Sequence, residues 1–209
     1  MITTNLWDSS EVALILIDYQ EEMINKIRSK SPSEVDLNIK LLIKAATSLK
    51  IPVILSTLGV EMGLNEPTRE SIKELLPDVI EIDRTSMNAW KDEEFKTAVE
   101  DTGKKNLIFC GIWTEMSLTF AVIDALEEGY FTCIPVDAVG GLSKIAHETA
   151  IMRMVHAGTV PNTSLALITE FFRDWKDQRG TLIRPLMEQH LKETKLVPSG
   201  DSEETHFYF

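Results

Sequence analysis

Leu107-Ile108-Phe109-Cys110-Gly111-Ile112-Trp113-Thr114-Glu115-Met116-Ser117-Leu118-Thr119-Phe120 reads as a buried strand, a short turn and the start of a helix. The apolar run is too short for a helix core and is closed by glycine, which favours a strand covered on both faces. A side chain at Ser117 then stands at the carboxyl end of that strand. There it lies beside backbone N–H groups that no helical bond has used. Such a place suits a nucleophile and the donors that stabilise an oxyanion.

The same grammar repeats on both sides of this stretch. Strand-like runs occur at Ala13–Asp18, Pro52–Thr57, Val79–Ile82, Phe131–Ala138 and Val160–Ile168, the last interrupted early by Pro161. Helix-period segments lie between them, at Val35–Leu49, Asp92–Thr102, Ser117–Glu128, Lys144–Ala157 and Glu170–Asp177. Runs buried on both faces, each followed by an amphipathic helix, describe a parallel sheet covered on both sides. The expected fold is α/β, a three-layer α/β/α sandwich with a mostly parallel six-stranded sheet and right-handed crossovers. Open sheets of this kind bind ligands outside the carboxyl ends of their strands. Asp18, Arg84 and Ser117 all fall at such ends, and that convergence is the bottom-up argument for a site.

Composition bounds the class. The 209 residues suit one domain, with a core over about 11–180 and a C-terminal helix and tail over 181–209. The chain is 44% hydrophobic and 26% charged, which is ordinary for a globular protein able to bury a large core. Its formal net charge of -12 opposes nonspecific binding to nucleic acid or to an anionic membrane. Cys110 and Cys133 each sit inside an apolar run, as buried thiols of a reducing compartment do. No signal-peptide pattern opens the chain and no run is long enough to span a bilayer, so a cytoplasmic location is expected. The polar tail from Glu193 ends in Phe207-Tyr208-Phe209 and reads as a loose terminus or an arm docked on a neighbouring subunit.

Three segments carry a resemblance. Leu16-Ile17-Asp18-Tyr19-Gln20, Arg84-Thr85-Ser86-Met87-Asn88-Ala89-Trp90 and Gly111-Ile112-Trp113-Thr114-Glu115-Met116-Ser117 look like the signatures of the isochorismatase-like cysteine hydrolases. Asn88-Ala89-Trp90, Ala98–Lys105, Glu127-Glu128-Gly129 and Arg173-Asp174-Trp175 point to the YcaC-like branch. The similarity runs over roughly residues 11–180. It implies an enzyme of hydrolase type, acting on a small amide- or carbamoyl-like molecule through an aspartate, a basic residue and a cysteine. Asp18 would move the proton, Arg84 would steady negative charge, and Ser117 would occupy the nucleophile position. Backbone N–H groups of Thr114 and Ser117 would serve the oxyanion. The resemblance further implies a cis peptide before the helix, placed here at Trp113–Thr114, at a cost of about 3–4 kcal/mol without proline. It also implies no dissociable cofactor, and a homo-oligomer, since YcaC-like proteins form large rings.

Two departures matter. Many members carry lysine where Arg84 stands, and a guanidinium keeps its proton, so it can clamp charge but not shuttle protons. Ser117 weighs more, because a hydroxyl needs a far stronger base than a thiol with a pKa of about 8.5. Three accounts stand: an engineered replacement of cysteine, a weakened or inactive natural site, or chemistry without a nucleophile. In the last, a vinyl ether of isochorismate type is protonated and attacked by water, with Asp18 as acid. A noncatalytic binding or assembly protein is a further alternative.

Plainer roles stand beside the functional ones. Asp18 could cap the following helix, Arg84 could be an ordinary ion-pair residue, and Ser117 could open a helix. Gln20 would bond either substrate or the turn, Trp113 would line the pocket wall or simply pack, and Trp90 belongs to core or interface. His147, His156, His190 and His206 show no metal spacing, and the Asp-x-His of related nicotinamidases is missing, so no catalytic metal is expected. Gly140-Gly141 reads as a turn and not a phosphate loop.

Overall fold

The computed structural model describes residues 6–195. Six strands form one sheet: β1 Val12–Ile17, β2 Val53–Leu58, β3 Glu81–Arg84, β4 Asn106–Gly111, β5 Phe131–Pro135 and β6 Val160–Asn162. The spatial order is β3-β2-β1-β4-β5-β6 and every pairing is parallel. Helices connect them: α1 Glu21–Ile24, α2 Pro32–Leu49, α3 Glu70–Lys73, α4 Glu93–Asp101, α5 Thr119–Glu127, α6 Lys144–Ala157, α7 Ser164–Glu170 and α8 Gln178–Thr194. The result is the three-layer α/β/α sandwich, with α2 packed on α7 and α8 and α5 packed on α6.

Burial explains the order. All six residues of β1 are buried, as are five of six in β4, and these two strands form the centre of the sheet. Strand β3 at one edge alternates half-buried and buried residues, and three-residue β6 at the other carries Pro161. Proline costs no ladder bond at such an edge. The order of strand addition reverses between β1 and β4, since β2 and β3 are added outward on one side and β4, β5 and β6 on the other. The carboxyl ends of β1 and β4 are therefore the place where a sheet of this order binds its ligand.

Local chemistry sets the helix ends. Ser143 caps α6, its hydroxyl accepting from the Ala146 N–H, and Gly158 ends the helix with φ 115. The last part of the chain differs from its sequence pattern. The run Val160–Ile168 is a strand only to Asn162, because the Asp137 carboxylate accepts both the N–H and the hydroxyl of Ser164 and starts α7. Glu170–Asp177 is not a helix. Arg173 takes a left-handed backbone there (φ 55), and the Asp177 side chain caps α8. No helix among the described residues is long and apolar enough to cross a membrane. Phe207-Tyr208-Phe209 and the tail after Lys195 lie outside the described residues.

Candidate active site

Asp18 follows β1 directly and has no exposed surface. Its backbone is left-handed, with φ 60, a region aspartate enters more readily than most residues. That turn redirects the side chain out of strand alternation while its N–H still donates to Ser56 O at 2.9 Å. Asp18 caps nothing: Gln20 is the residue before α1, and it makes no capping bond either. Carboxylate Oδ2 instead accepts from Arg84 Nη2 at 2.8 Å, and both side chains are wholly buried. Oδ1 is buried without a hydrogen-bond partner. Burial raises the Asp18 pKa to about 6, overcoming Arg84 and the Ser117 hydroxyl, both of which favour the charged form. Ser117 is thus close enough to act on the carboxylate, although it falls short of a formed bond to Oδ1.

Arg84 reaches this point from the far edge of the sheet. It ends β3, two strand spacings (about 9.5 Å) from β1, and only a long side chain covers that span. The guanidinium passes the carboxyl end of β2, where Nη1 donates to Thr57 O at 3.3 Å. Burial pushes its pKa down, Asp18 pushes it back, and a guanidinium stays charged under both. The ordinary surface ion-pair role is excluded by geometry.

Ser117 lies in a distorted turn, Thr114–Leu118, that follows β4 and leads into α5. Met116 has non-helical angles inside it, so the regular helix starts two residues after Ser117. Gly111 permits the close approach. A Cβ there would stand 3.2 Å from both Ile17 Cβ and Leu118 Cβ, where the end of β1 meets this turn. The cis peptide is Ile112–Trp113, one bond earlier than the sequence placed it.

Two further expectations need correction. The Thr114 N–H donates to Gly140 O at 3.0 Å and is not available to an oxyanion. Gln20 is fully committed to the turn: its amide donates to Leu58 O and Glu66 O and accepts from the Leu58 N–H. Trp113 is half-buried against the core and donates from Nε1 to Met23 O at 3.0 Å.

Comparison with known proteins gives the family. Residues 12–164 match the isochorismatase domain. The chain belongs to the isochorismatase family. Within it, the chain is 33% identical over 171 residues to the probable hydrolase YcaC of Escherichia coli K12, covering 81% of this chain and 82% of that protein. YcaC of Pseudomonas aeruginosa, solved with hexane-2,5-diol and covalent acrylamide, superposes with a TM-score of 0.83 at 30% identity, covering 94% and 98%. The E. coli YcaC gene product, described as an octameric hydrolase of unknown specificity, gives 0.81 at 31% identity, covering 94% and 100%. This isochorismatase-family chain is accordingly a YcaC-like hydrolase.

Side chains that the sequence did not single out hold the turn that carries Ser117 in this isochorismatase-family chain. His147, in the first turn of α6, places Nδ1 2.8 Å from Thr114 Oγ1. Thr119 Oγ1 donates to Thr114 O at 2.5 Å, and Glu115 Oε1 accepts from the Leu142 N–H at 2.9 Å. His147 was legible only as a histidine near the carboxyl end of β5, the same side of the sheet as Ser117. Trp90 is core, with 1% exposure, edge-on to Tyr130 and Phe95. Cys110 and Cys133 are buried free thiols whose pKa values burial drives up. Among the described residues no three His, Cys, Asp or Glu side chains are grouped to hold a metal ion. A surface depression bordered by Glu115, Thr119, Ala146 and Arg153 touches the same turn, but neither Asp18 nor Arg84 lines it.

Proposed function

We propose that this YcaC-like hydrolase acts on a small amide- or carbamoyl-like substrate with Asp18, Arg84 and position 117 as its working groups. The observation that carries the reading is the buried Asp18–Arg84 pair beside the hydroxyl of Ser117. In the covalent route, Asp18 takes the proton of the group at 117, which bonds to the carbonyl carbon. Arg84 and the Ser117 backbone N–H stabilise the oxyanion. Asp18 then returns the proton to the departing amine as the C–N bond breaks, and water hydrolyses the ester or thioester. The P. aeruginosa relative carries covalent acrylamide, an electrophile that alkylates through its vinyl carbon, and this supports a reactive nucleophile on that relative.

A serine at 117 is slow in that scheme, because a base with a pKa of about 6 is far below what a hydroxyl needs. The test is Ser117→Cys, assayed on amides, carbamates and nicotinamide. We expect turnover or alkylation at position 117 in the cysteine form; absence of both ends the covalent reading.

The raised pKa of Asp18 favours a second reading, in which Asp18 protonates a vinyl ether of isochorismate type without a nucleophile. The two separate by pH. Amide turnover by Ser117→Cys should rise with pH through about 6 as Asp18 becomes a base. Vinyl-ether turnover by the Ser117 chain should fall through the same point and survive Ser117→Ala.

The setting we propose is a cytoplasmic homo-oligomer. Two buried free cysteines suit a reducing compartment, and the E. coli relative is octameric. The partner is a small molecule and not nucleic acid, which a chain of charge -12 repels.

A further inference from the structure

We infer that His147 is a positioning residue for the turn that carries Ser117, acting through Thr114; this rests on the proposed role of position 117. Thr114 opens that turn and is held at each of its polar groups. Its N–H donates to Gly140 O, its carbonyl accepts from Thr119 Oγ1, and its hydroxyl meets His147 Nδ1 at 2.8 Å. The first two ties are local or run along the sheet, through the bridge between Ile112 and Gly140. Of the three, only the third comes from α6, which packs against this turn.

The tie is built to last. His147 is 8% exposed, Thr114 is fully buried, and the His147 N–H is anchored on Ser143 O at 3.0 Å. A neutral imidazole offers one donor and one acceptor nitrogen, so the hydroxyl can pair with Nδ1 in either tautomer. Burial, helped by Lys30, lowers the His147 pKa to about 3, which keeps the ring neutral at working pH. A second link runs alongside: Glu115 Oε1 accepts from the Leu142 N–H, and a Cβ on Gly141 would strike Glu115 Oε2 at 2.3 Å. The loop before α6 and its first turn thus form a wall against Thr114–Leu118. The sub-ångström placement of a nucleophile against its base depends on such walls.

The experiment uses His147→Leu, which keeps volume and removes the bond, and His147→Asn, which keeps a polar atom at the δ position. Thr114→Val removes the same bond from the other side. In the Ser117→Cys background the alkylation rate of position 117 by iodoacetamide is read across pH by peptide mass, which separates it from Cys110 and Cys133. We expect His147→Leu and Thr114→Val each to slow it at least tenfold, with no further loss when combined, and His147→Asn to remain within about threefold. In the Ser117 chain, hydrogen exchange over Ile112–Leu118 should quicken in His147→Leu while β1 keeps its protection. Unchanged alkylation and unchanged exchange in a folded His147→Leu overturn the inference. If Ser117→Cys itself resists alkylation, the covalent reading of position 117 fails, and the exchange result alone decides the role of His147.

Discussion

At Asp18 the molecule sets stability against chemistry. A folded-state pKa of about 6 against 3.8 means that burial outweighs the attraction of Arg84 and the surroundings as a whole prefer the neutral acid. The sign follows from linkage: protonation of Asp18 favours the folded chain, a contribution fully present below 3.8 and lost as pH rises through about 6. Asparagine resembles the protonated form at every pH. Asp18→Asn should therefore be the more stable protein at pH 7–8, by at most about 3 kcal/mol, and this gain should vanish near pH 4. Its activity should be lost under either proposed route. Urea unfolding of both proteins at pH 4, 6 and 8 checks this, and an Asp18→Asn protein less stable than the parent at pH 8 would show that the ion pair, not the burial, dominates. This carboxylate was visible from sequence because it ends an apolar run. Arg84, 66 residues away, was named with it because it too falls at a strand end; the direct ion pair and the φ of 60 that turns the carboxylate leave no local signature.

At the scale of elements, the turn between β4 and α5 carries the most consequence. Gly111→Ala would bring a methyl within 3.2 Å of Ile17 and Leu118, so β1 and the Ser117 turn must part. We expect a stability loss of about 1–3 kcal/mol and, in the Ser117→Cys background, slower alkylation at 117; an unshifted melting point and rate would show the turn to be pliant. Helix α6 gives a second prediction. The His147 pKa is depressed from 6.5 to about 3, so its contribution is present above 6.5 and is lost as pH falls towards 3. Relative to His147→Asn, the parent should lose up to about 1.4 kcal/mol per pH unit between pH 6 and 4. Parallel pH curves would mean that His147 titrates normally. The strands at the centre of the sheet were legible because burial on both faces leaves unbroken apolar runs. The chain beyond Pro161 was not, because the carboxylate that starts α7 belongs to Asp137, 27 residues earlier. Thr114 was misread for the same reason: its N–H looked free in sequence, but Gly140 lies beside it in space.

For the whole molecule, charge and assembly oppose one another. Each chain carries -12, so copies that meet must bring like charges within a Debye length, about 10 Å at 0.1 M salt. The same self-repulsion loads each folded chain. Salt should then act twice on a homo-oligomer. Between 20 and 200 mM sodium chloride we expect light scattering to shift toward multiples of 23.6 kDa and the melting temperature to rise by a few degrees. Activity should follow the mass only if neighbouring copies help to hold the site. The fully buried Asp18–Arg84 pair should be almost insensitive to added ions, since screening acts on exposed charges. Activity that tracks salt while mass stays constant would therefore place the responsive charges near substrate entry. A mass and melting point that ignore salt would show that the acidic side chains are arranged away from every contact between copies.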